Sequence, residues 1–233
     1  MRVAMHQPHY LPWLGFVDKV DRSDVFILLD NVQYERKGWQ NRNYVAARNG
    51  PVLLTVPVVQ QSRGELISDK KIDNTQQWNE KHKRTLAEHC YRGAPFWGQF
   101  GTEILRLYQQ EWSSLTELAI ATTRLVLDGF GITTPLVRAS ELGEFPGQKS
   151  ELLAQLSAKV GATTMLSGDG ARSYLDLDIL SRYGISVEWQ DFHHPEYPQH
   201  SRGRDEFLPR MAALDLLLNA GPDGREVLRR ARA

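Results

Sequence analysis

Arg2-Val3-Ala4-Met5-His6-Gln7, then Pro12-Trp13-Leu14-Gly15-Phe16, then Asp24-Val25-Phe26-Ile27-Leu28-Leu29-Asp30 decide the fold class. Arg2–Gln7 is short with an apolar centre at Val3-Ala4-Met5, which reads as a buried strand. Pro12 suits a first helical position, where its fixed φ and missing donor cost nothing, so a helix is expected through about Val20. Asp24–Asp30 is an almost continuous apolar run, which fits a parallel strand covered on both faces. Strand, helix and strand in this order make a βαβ unit, and its loops carry His6, Gln7, His9, Tyr10 and Trp13, then Asn31, Gln33 and Tyr34. Loops at strand ends are where an α/β scaffold presents its chemistry.

The pattern continues outward. Asn49-Gly50-Pro51 marks a turn into a third strand, Val52–Val58. Gln60–Asp69 is polar and reads as a surface loop. Three helical stretches follow: Gln77–Tyr91, Phe96–Gln110 and Leu115–Gly129. The last opens on a capping box of Ser114 and Glu117. Alternation then resumes with strands over Thr133–Ala139, Ala162–Leu166 and Ile185–Gln190. Helices are expected over Lys149–Val160 and Ala171–Tyr183, and a final one over Arg210–Asn219 after Pro209. The fold class is α/β: an open, largely parallel, Rossmann-like sheet in one domain over 1–233, with residues 75–130 as a helical insertion.

Bulk properties narrow the function classes. The 233 residues carry 28 Lys+Arg against 28 Asp+Glu, so no global field draws a polyanion. The single cysteine, Cys90, excludes an internal disulfide framework and any CxxC metal site. No segment approaches the roughly 20 apolar residues that span a bilayer, and no cleavable leader is apparent, so a cytoplasmic protein without a membrane partner is expected.

Several positions are candidates for chemistry. His6 and His9 sit between the first strand and a helix start at Gly15, a junction suited to binding phosphate through imidazoles and free backbone N–H groups. Such junctions occur in Rossmann-like proteins of the nucleotidyltransferase and class I synthetase type. Lys149 and Ser150 open a helix after Gly147, and Ser167-Gly168 follows a strand, where glycine permits close backbone approach. These make Gly15, Lys149, Ser150, Ser167 and Gly168 the candidate nucleotide-binding set, with Mg-ATP as the cofactor it would take. No GxxxxGK[ST] or GxGxxG pattern occurs.

Gln7, Tyr10, Trp13, Gln33, Tyr34, Trp39, Asn41, Arg42, Asn43 and Gln199 are the candidate substrate-binding residues. Asp30, with His6 and His9, completes the candidate catalytic set. Phe192-His193-His194-Pro195-Glu196 reads as a polar binding loop rather than a metal site, because neither HExxH nor spaced cysteines accompany it. Cys90 lies in an amphipathic helix and reads as a buried thiol.

The run His6-Gln7-Pro8…Tyr10-Leu11-Pro12-Trp13…Gly15-Phe16…Lys19 resembles the WbqC-like family. So do Asp24, Asp30, Val32-Gln33-Tyr34, Trp39, Asn41-Arg42-Asn43, Lys149-Ser150, Leu166-Ser167-Gly168, Gln190, Phe192, Pro195, Tyr197, Gln199 and Asp215-Leu216-Leu217. One departure is Met211-Ala212, where the family usually carries a Leu-Ser pair. The resemblance implies a role in O-antigen or other biosynthesis, adding glycine or another aminoacyl group to a sugar. The expected function is therefore acyl or aminoacyl transfer, with a small-molecule or carrier-bound donor and a sugar or amine acceptor. A tRNA-bound donor is an option to which the charge balance does not point. In that mechanism His6 is the base, and Asn41, Arg42 and backbone N–H groups are oxyanion donors. An ATP-dependent, adenylate-forming ligase is the alternative, with His6, His9 and Lys149 on the phosphates and Asp30 or Gln33 orienting the acid. A non-catalytic module binding a sugar or amino acid is the third reading.

Overall fold

The computed structural model describes residues 1–60, 64–200 and 206–232. Its strands are β1 (Arg2–His6), β2 (Val25–Leu28), β3 (Arg42–Ala47), β4 (Gly50–Thr55), β5 (Leu136–Arg138), β6 (Thr164–Ser167) and β7 (Ser186–Trp189). Five of them build an open sheet in the order β5-β2-β1-β6-β7. Every neighbour pair is parallel: Val3 lies beside Val25, Ala4 beside Leu166, Ile27 beside Val137 and Met165 beside Val187. The expected α/β class and open parallel sheet are therefore present.

The period-2 alternation of the central strands sorts their side chains into two cores. Ala4, Phe26, Leu28 and Leu166 face one side, and Val3, Met5, Ile27 and Met165 face the other. The helices are α1 (Leu14–Asp21), α2 (Trp78–Arg84), α3 (Trp97–Gln109), α4 (Leu115–Gly129), α5 (Ser150–Lys159), α6 (Leu177–Arg182), α7 (Ala213–Ala220) and α8 (Gly224–Arg230). Helices α1, α4, α7 and α8 pack on the first face, and α5 and α6 on the second. Among the described residues no helix is long and apolar enough to cross a membrane.

Several local expectations are revised. The strand expected over Val52–Val58 is β4, and it stays out of the main sheet. It pairs antiparallel with β3, from Arg42 beside Thr55 to Ala47 beside Gly50. The helix from Trp78 changes to a π-helical turn over Thr85–Tyr91. There the Tyr91 hydroxyl accepts a 3.2 Å hydrogen bond from the Ala46 N–H and ties the turn to β3.

Ile67–Asp69 of the polar loop form a 3₁₀ turn, and residues 61–63 lie outside the described residues. The helix expected over Ala171–Tyr183 begins only at Leu177, because the Asp176 carboxylate caps the N–H groups of Asp178 and Ile179. The last expected helix starts at Ala213 rather than Arg210, since Arg210 has φ +64°, outside the right-handed region.

Helix α8 was not foreseen, and charge holds it against α1. Asp21, with its side chain fully shielded, accepts hydrogen bonds from Arg225 (2.8 Å), Arg229 (3.1 Å) and Arg232 (2.5 Å). Burial alone would raise the Asp21 pKa, but these donors outweigh it and hold the carboxyl below its ordinary 3.8. A depressed folded pKa contributes stability that is present above the ordinary value and lost as pH falls through the folded one. Asp21→Asn is expected to cost about 1–3 kcal/mol, the worth of hydrogen bonds to a charged group. Hydrogen exchange should show α8 losing protection in this variant at neutral pH, and in the wild type only below pH ~4.

Candidate functional site

Because all five strands run parallel, their carboxyl ends share one edge. Counted within the sheet alone, the chain order is 3-2-1-4-5, reversing between β1 and β6. Connections leave these two strands toward opposite faces, so a crevice opens beyond their carboxyl ends, the usual ligand position in such sheets. A chamber of about 790 Å³ occupies this place. Its lining comes from the end of β1 (Met5, His6, Gln7), the end of β6 (Leu166, Ser167, Gly168), Lys149 before α5, Lys19 from α1 and Gln190 after β7.

A second chamber, of about 1060 Å³, adjoins it. Aromatic and imidazole groups dominate it: His9, Trp13, Trp39, Tyr44, Phe192, His193 and His194, with Gln40, Asn43 and Arg210. His6, Gln7, Trp13, Glu35 and Phe192 line both chambers and form the wall between them. A third pocket, lined by Gln33, Tyr34, Glu35, Arg36 and Lys70, lies to the side.

The wall is built by local packing. The Trp13 ring meets Phe192 edge-on at 5.5 Å. The other side of Trp13 lies over Gly15, where an added Cβ would fall 2.2 Å from the ring. Gly15 is therefore the floor for Trp13, and its carbonyl accepts a 2.7 Å hydrogen bond from Gln190 Nε2. The Gln7 side-chain oxygen accepts from Gln40 Nε2 at 2.6 Å.

His6 meets His9 edge-on at 4.5 Å, and His9 stacks on Phe16. His6 Nδ1 lies 3.1 Å from the Gln7 carbonyl oxygen, which can only accept. The proton is thereby placed on Nδ1, and Nε2 keeps its lone pair. Burial, then the charge of Lys19 and the neighbouring His9, push the His6 pKa well below 6.5. His9 is pushed to about 3 by burial and Lys19. Both imidazoles are neutral near pH 7.

Four described non-glycine residues have positive φ: Leu11 (+50°), Lys149 (+51°), Asp191 (+46°) and Arg210 (+64°). Lys149 and Arg210 line the chambers, Asp191 lies between the lining residues Gln190 and Phe192, and Leu11 lies two residues before Trp13. Such strain costs about 1–3 kcal/mol per residue and persists only where surroundings impose it. Asn43 Nδ2 donates to the Leu11 carbonyl at 2.5 Å, and the Arg210 N–H donates to His194 Nε2 at 3.1 Å. The other nitrogen, His194 Nδ1, donates to the Pro195 carbonyl. Both nitrogens of His194 are engaged, which leaves no lone pair for a metal. No cluster of three or more His, Cys, Asp or Glu with metal-holding geometry occurs among the described residues.

The candidate residues divide accordingly. His6, Gln7, His9, Trp13, Trp39, Asn43, Lys149, Ser167 and Gly168 come together around the two chambers. Gln33 and Tyr34 line the side pocket. Asp30 is buried elsewhere, accepting from Arg138 Nε (2.8 Å), the Ser140 N–H (2.9 Å) and the Ser140 hydroxyl (2.7 Å). Tyr10 is fully buried and bonds to His82 and Tyr108.

The remaining candidates also hold neighbouring chain. Asn41 donates to the Val56 carbonyl and Arg42 to the Arg36 carbonyl. The Ser150 hydroxyl accepts from the Asp176 N–H, and Gln199 bonds to Leu208 and Asp215. Cys90 is buried, and desolvation with nearby Asp215 pushes its thiol up to about 12, so it is no nucleophile.

Sequence reasoning passed over Lys19, Glu35 and Gln190 as site residues, and took Phe192 only as the start of a polar binding loop. Lys19 offered little signal, since beside Asp18 it reads as an ordinary helix charge. Glu35 offered none, because only the loop's path brings it between the chambers.

The geometry matches a shared sequence pattern. The chain belongs to the WbqC-like protein family, whose profile matches residues 7–227. A WbqC-like chain with this loop arrangement has a relative in Mycobacterium tuberculosis, the uncharacterized protein Rv1507c, 33% identical over 236 residues and spanning 99% of each chain. No solved structure matches it.

The wall of this WbqC-like fold is open to test through Gly15. Gly15→Ala gains about 1 kcal/mol of helix propensity. Overpacking of a well-filled core costs about 1–3 kcal/mol, and the 2.2 Å approach to Trp13 makes this the larger effect. The variant is expected to be destabilised in chemical denaturation, with a shift in tryptophan emission as Trp13 moves.

Proposed function

We propose that the chain is a group-transfer enzyme that moves an acyl group, of the aminoacyl class implied by its family resemblance, onto a hydroxyl or amine of a ring-bearing acceptor. The observation that carries this reading is the shared wall. His6, Gln7, Trp13, Glu35 and Phe192 face two chambers, one at the sheet's switch point that holds Lys19 and Lys149 and one rich in aromatic rings. Two adjoining chambers of different chemistry suit two substrates that must meet. The aromatic chamber offers Trp13, Trp39, Tyr44 and Phe192 as stacking surfaces for a sugar ring. The donor enters the switch-point chamber.

In the proposed step, His6 Nε2 takes the proton of the acceptor hydroxyl or amine as that atom attacks the donor's acyl carbonyl. The Gln7 carbonyl holds Nδ1–H, and the imidazolium, disfavoured by burial and Lys19, carries the proton only until the tetrahedral intermediate collapses. It then returns the proton to the leaving group, so protons and bonds balance. Lys149 on the rim and backbone N–H groups at Gly168 and the start of α5 face the developing oxyanion. His9 orients the His6 ring from behind.

A second reading, the ATP-dependent acid-activating ligase, is favoured by the reversed strand order and the glycine at the end of β6. Hydroxylamine trapping separates the two. A panel of glycyl and other aminoacyl N-acetylcysteamine thioesters is incubated with hydroxylamine, and free amino acids are incubated with ATP and hydroxylamine. Hydroxamate from thioester without ATP supports transfer. Hydroxamate only with ATP, accompanied by pyrophosphate, supports the ligase. No hydroxamate in either arm overturns both and leaves a binding module.

His6→Ala is expected to lower the rate by about 10²–10⁴, the contribution of a positioned base. Because His6 is active when deprotonated and its pKa lies below 6.5, the wild-type rate should be flat above neutrality and fall only at acid pH. The pH-rate profile of the hydroxamate reaction checks this.

A further inference from the structure

Lys19 has no place in the transfer step just described, yet it is the most unusual charge in the molecule. Only 5% of it is exposed. Among the described residues its ammonium makes one hydrogen bond, to the Met5 carbonyl at 3.3 Å, and no ion pair. The neighbouring Asp18 is bound by Arg232 Nε (2.7 Å) and Gln190 Nε2 (2.8 Å). An ammonium carries three donors, and a buried charge with most of them unused is costly unless something completes its shell.

The free side of Lys19 faces the switch-point chamber. A Cβ built on Gly168 would stand 3.9 Å from Lys19 Nζ and 3.8 Å from Gln190 Oε1, with nothing nearer. The Gly168 backbone thus borders an open space directly before the ammonium. Lys149, in its strained conformation, stands on the rim of the same chamber, and Tyr174, 59% exposed, lines its mouth.

From this we infer that the switch-point chamber is a phosphoanhydride site, in which Lys19 Nζ and the Gly168 backbone hold the phosphoryl groups of a nucleoside di- or triphosphate. This deepens the group-transfer reading, because it names the chemistry of the donor or its activator. The phosphoryl oxygens complete the donor shell of Lys19, and Lys149 meets the charge from the rim. Tyr174, exposed at the chamber's mouth, offers a ring face for a base.

The other titratable groups at or near the chamber are neutral or held by partners, apart from Glu35. His6 and His9 are neutral near pH 7, Asp18 is held by Arg232, Asp169 is paired with Arg172 at 2.8 Å, and Glu35 lies on the wall. Burial outweighs the nearby Asp18 and lowers Lys19 to about 8. Anion binding therefore requires the protonated amine and weakens as pH rises through that value. Pyrophosphate itself gains negative charge over the same range, which acts in the opposite direction.

The test is calorimetric titration of the full chain with inorganic pyrophosphate and, separately, with ADP. Saturable binding is expected at pH 7 and weaker binding at pH 9. Lys19→Met should weaken it about 10- to 100-fold and remove the loss of affinity between pH 7 and pH 9. Gly168→Ala meets no clash and should melt like the wild type, while its methyl group narrows the cradle and weakens binding. ADP binding more tightly than pyrophosphate places a nucleoside at Tyr174, and equal affinity confines recognition to the phosphates. The inference falls if neither probe binds, or if Lys19→Met and Gly168→Ala both bind as the wild type does. If it falls while thioester hydroxamate still forms, the transfer reading stands alone.

Discussion

Everything at this site follows from one topological constraint: two adjacent parallel strands, β1 and β6, send their connections to opposite faces of the sheet. No connection can then cover the gap beyond their carboxyl ends. The central strands are apolar on both sides because helices cover both faces. Polar side chains of the β1 segment are therefore displaced to its end, where His6 and Gln7 meet the crevice. Lys19 reaches the same crevice from below because α1 runs back along β1, with its ammonium at the Met5 carbonyl.

The loops around the crevice are held in unfavourable conformations. Leu11, Lys149, Asp191 and Arg210 are spread over four separate segments, and each lies in or beside the lining. Strain at one of them would be a local accident of a turn. At four it means that the surrounding packing fixes the loop paths at the expense of backbone ease. The fixing contacts are visible at two positions, Asn43 on the Leu11 carbonyl and His194 on the Arg210 N–H. Chambers held this way are pre-formed, so ligand binding need not order them.

The fold was largely legible because its signals are local. Continuous apolar runs identify β1 and β2, and Gly131 and Gly161, both at positive φ, end α4 and α5 as such glycines do. The β3–β4 hairpin was hidden, since Arg42 and Asn43 look like site residues rather than the start of a strand. At the site, His6, Gln7, Trp13, Lys149 and Gly168 were readable because each directly follows a strand or opens a helix. Asp30, Tyr10, Asn41 and Gln199 carry the same polar residue types, but the structure gives them buried backbone and side-chain partners to satisfy. A sequence cannot separate these two uses of a polar side chain. Lys19 and Glu35 were missed for the converse reason: one resembles an ordinary helix charge, and the other is placed only by tertiary path.

The crevice between β1 and β6 is proposed to receive a ligand's phosphates, while His6 joins it to the aromatic chamber. A crystal structure of the chain with ADP tests this most directly. The diphosphate is expected between Lys19 Nζ and the Gly168 backbone, on the far side of the His6 wall from Trp39. Density for ADP in the aromatic chamber or in the side pocket by Lys70, with the switch-point chamber empty, would contradict it.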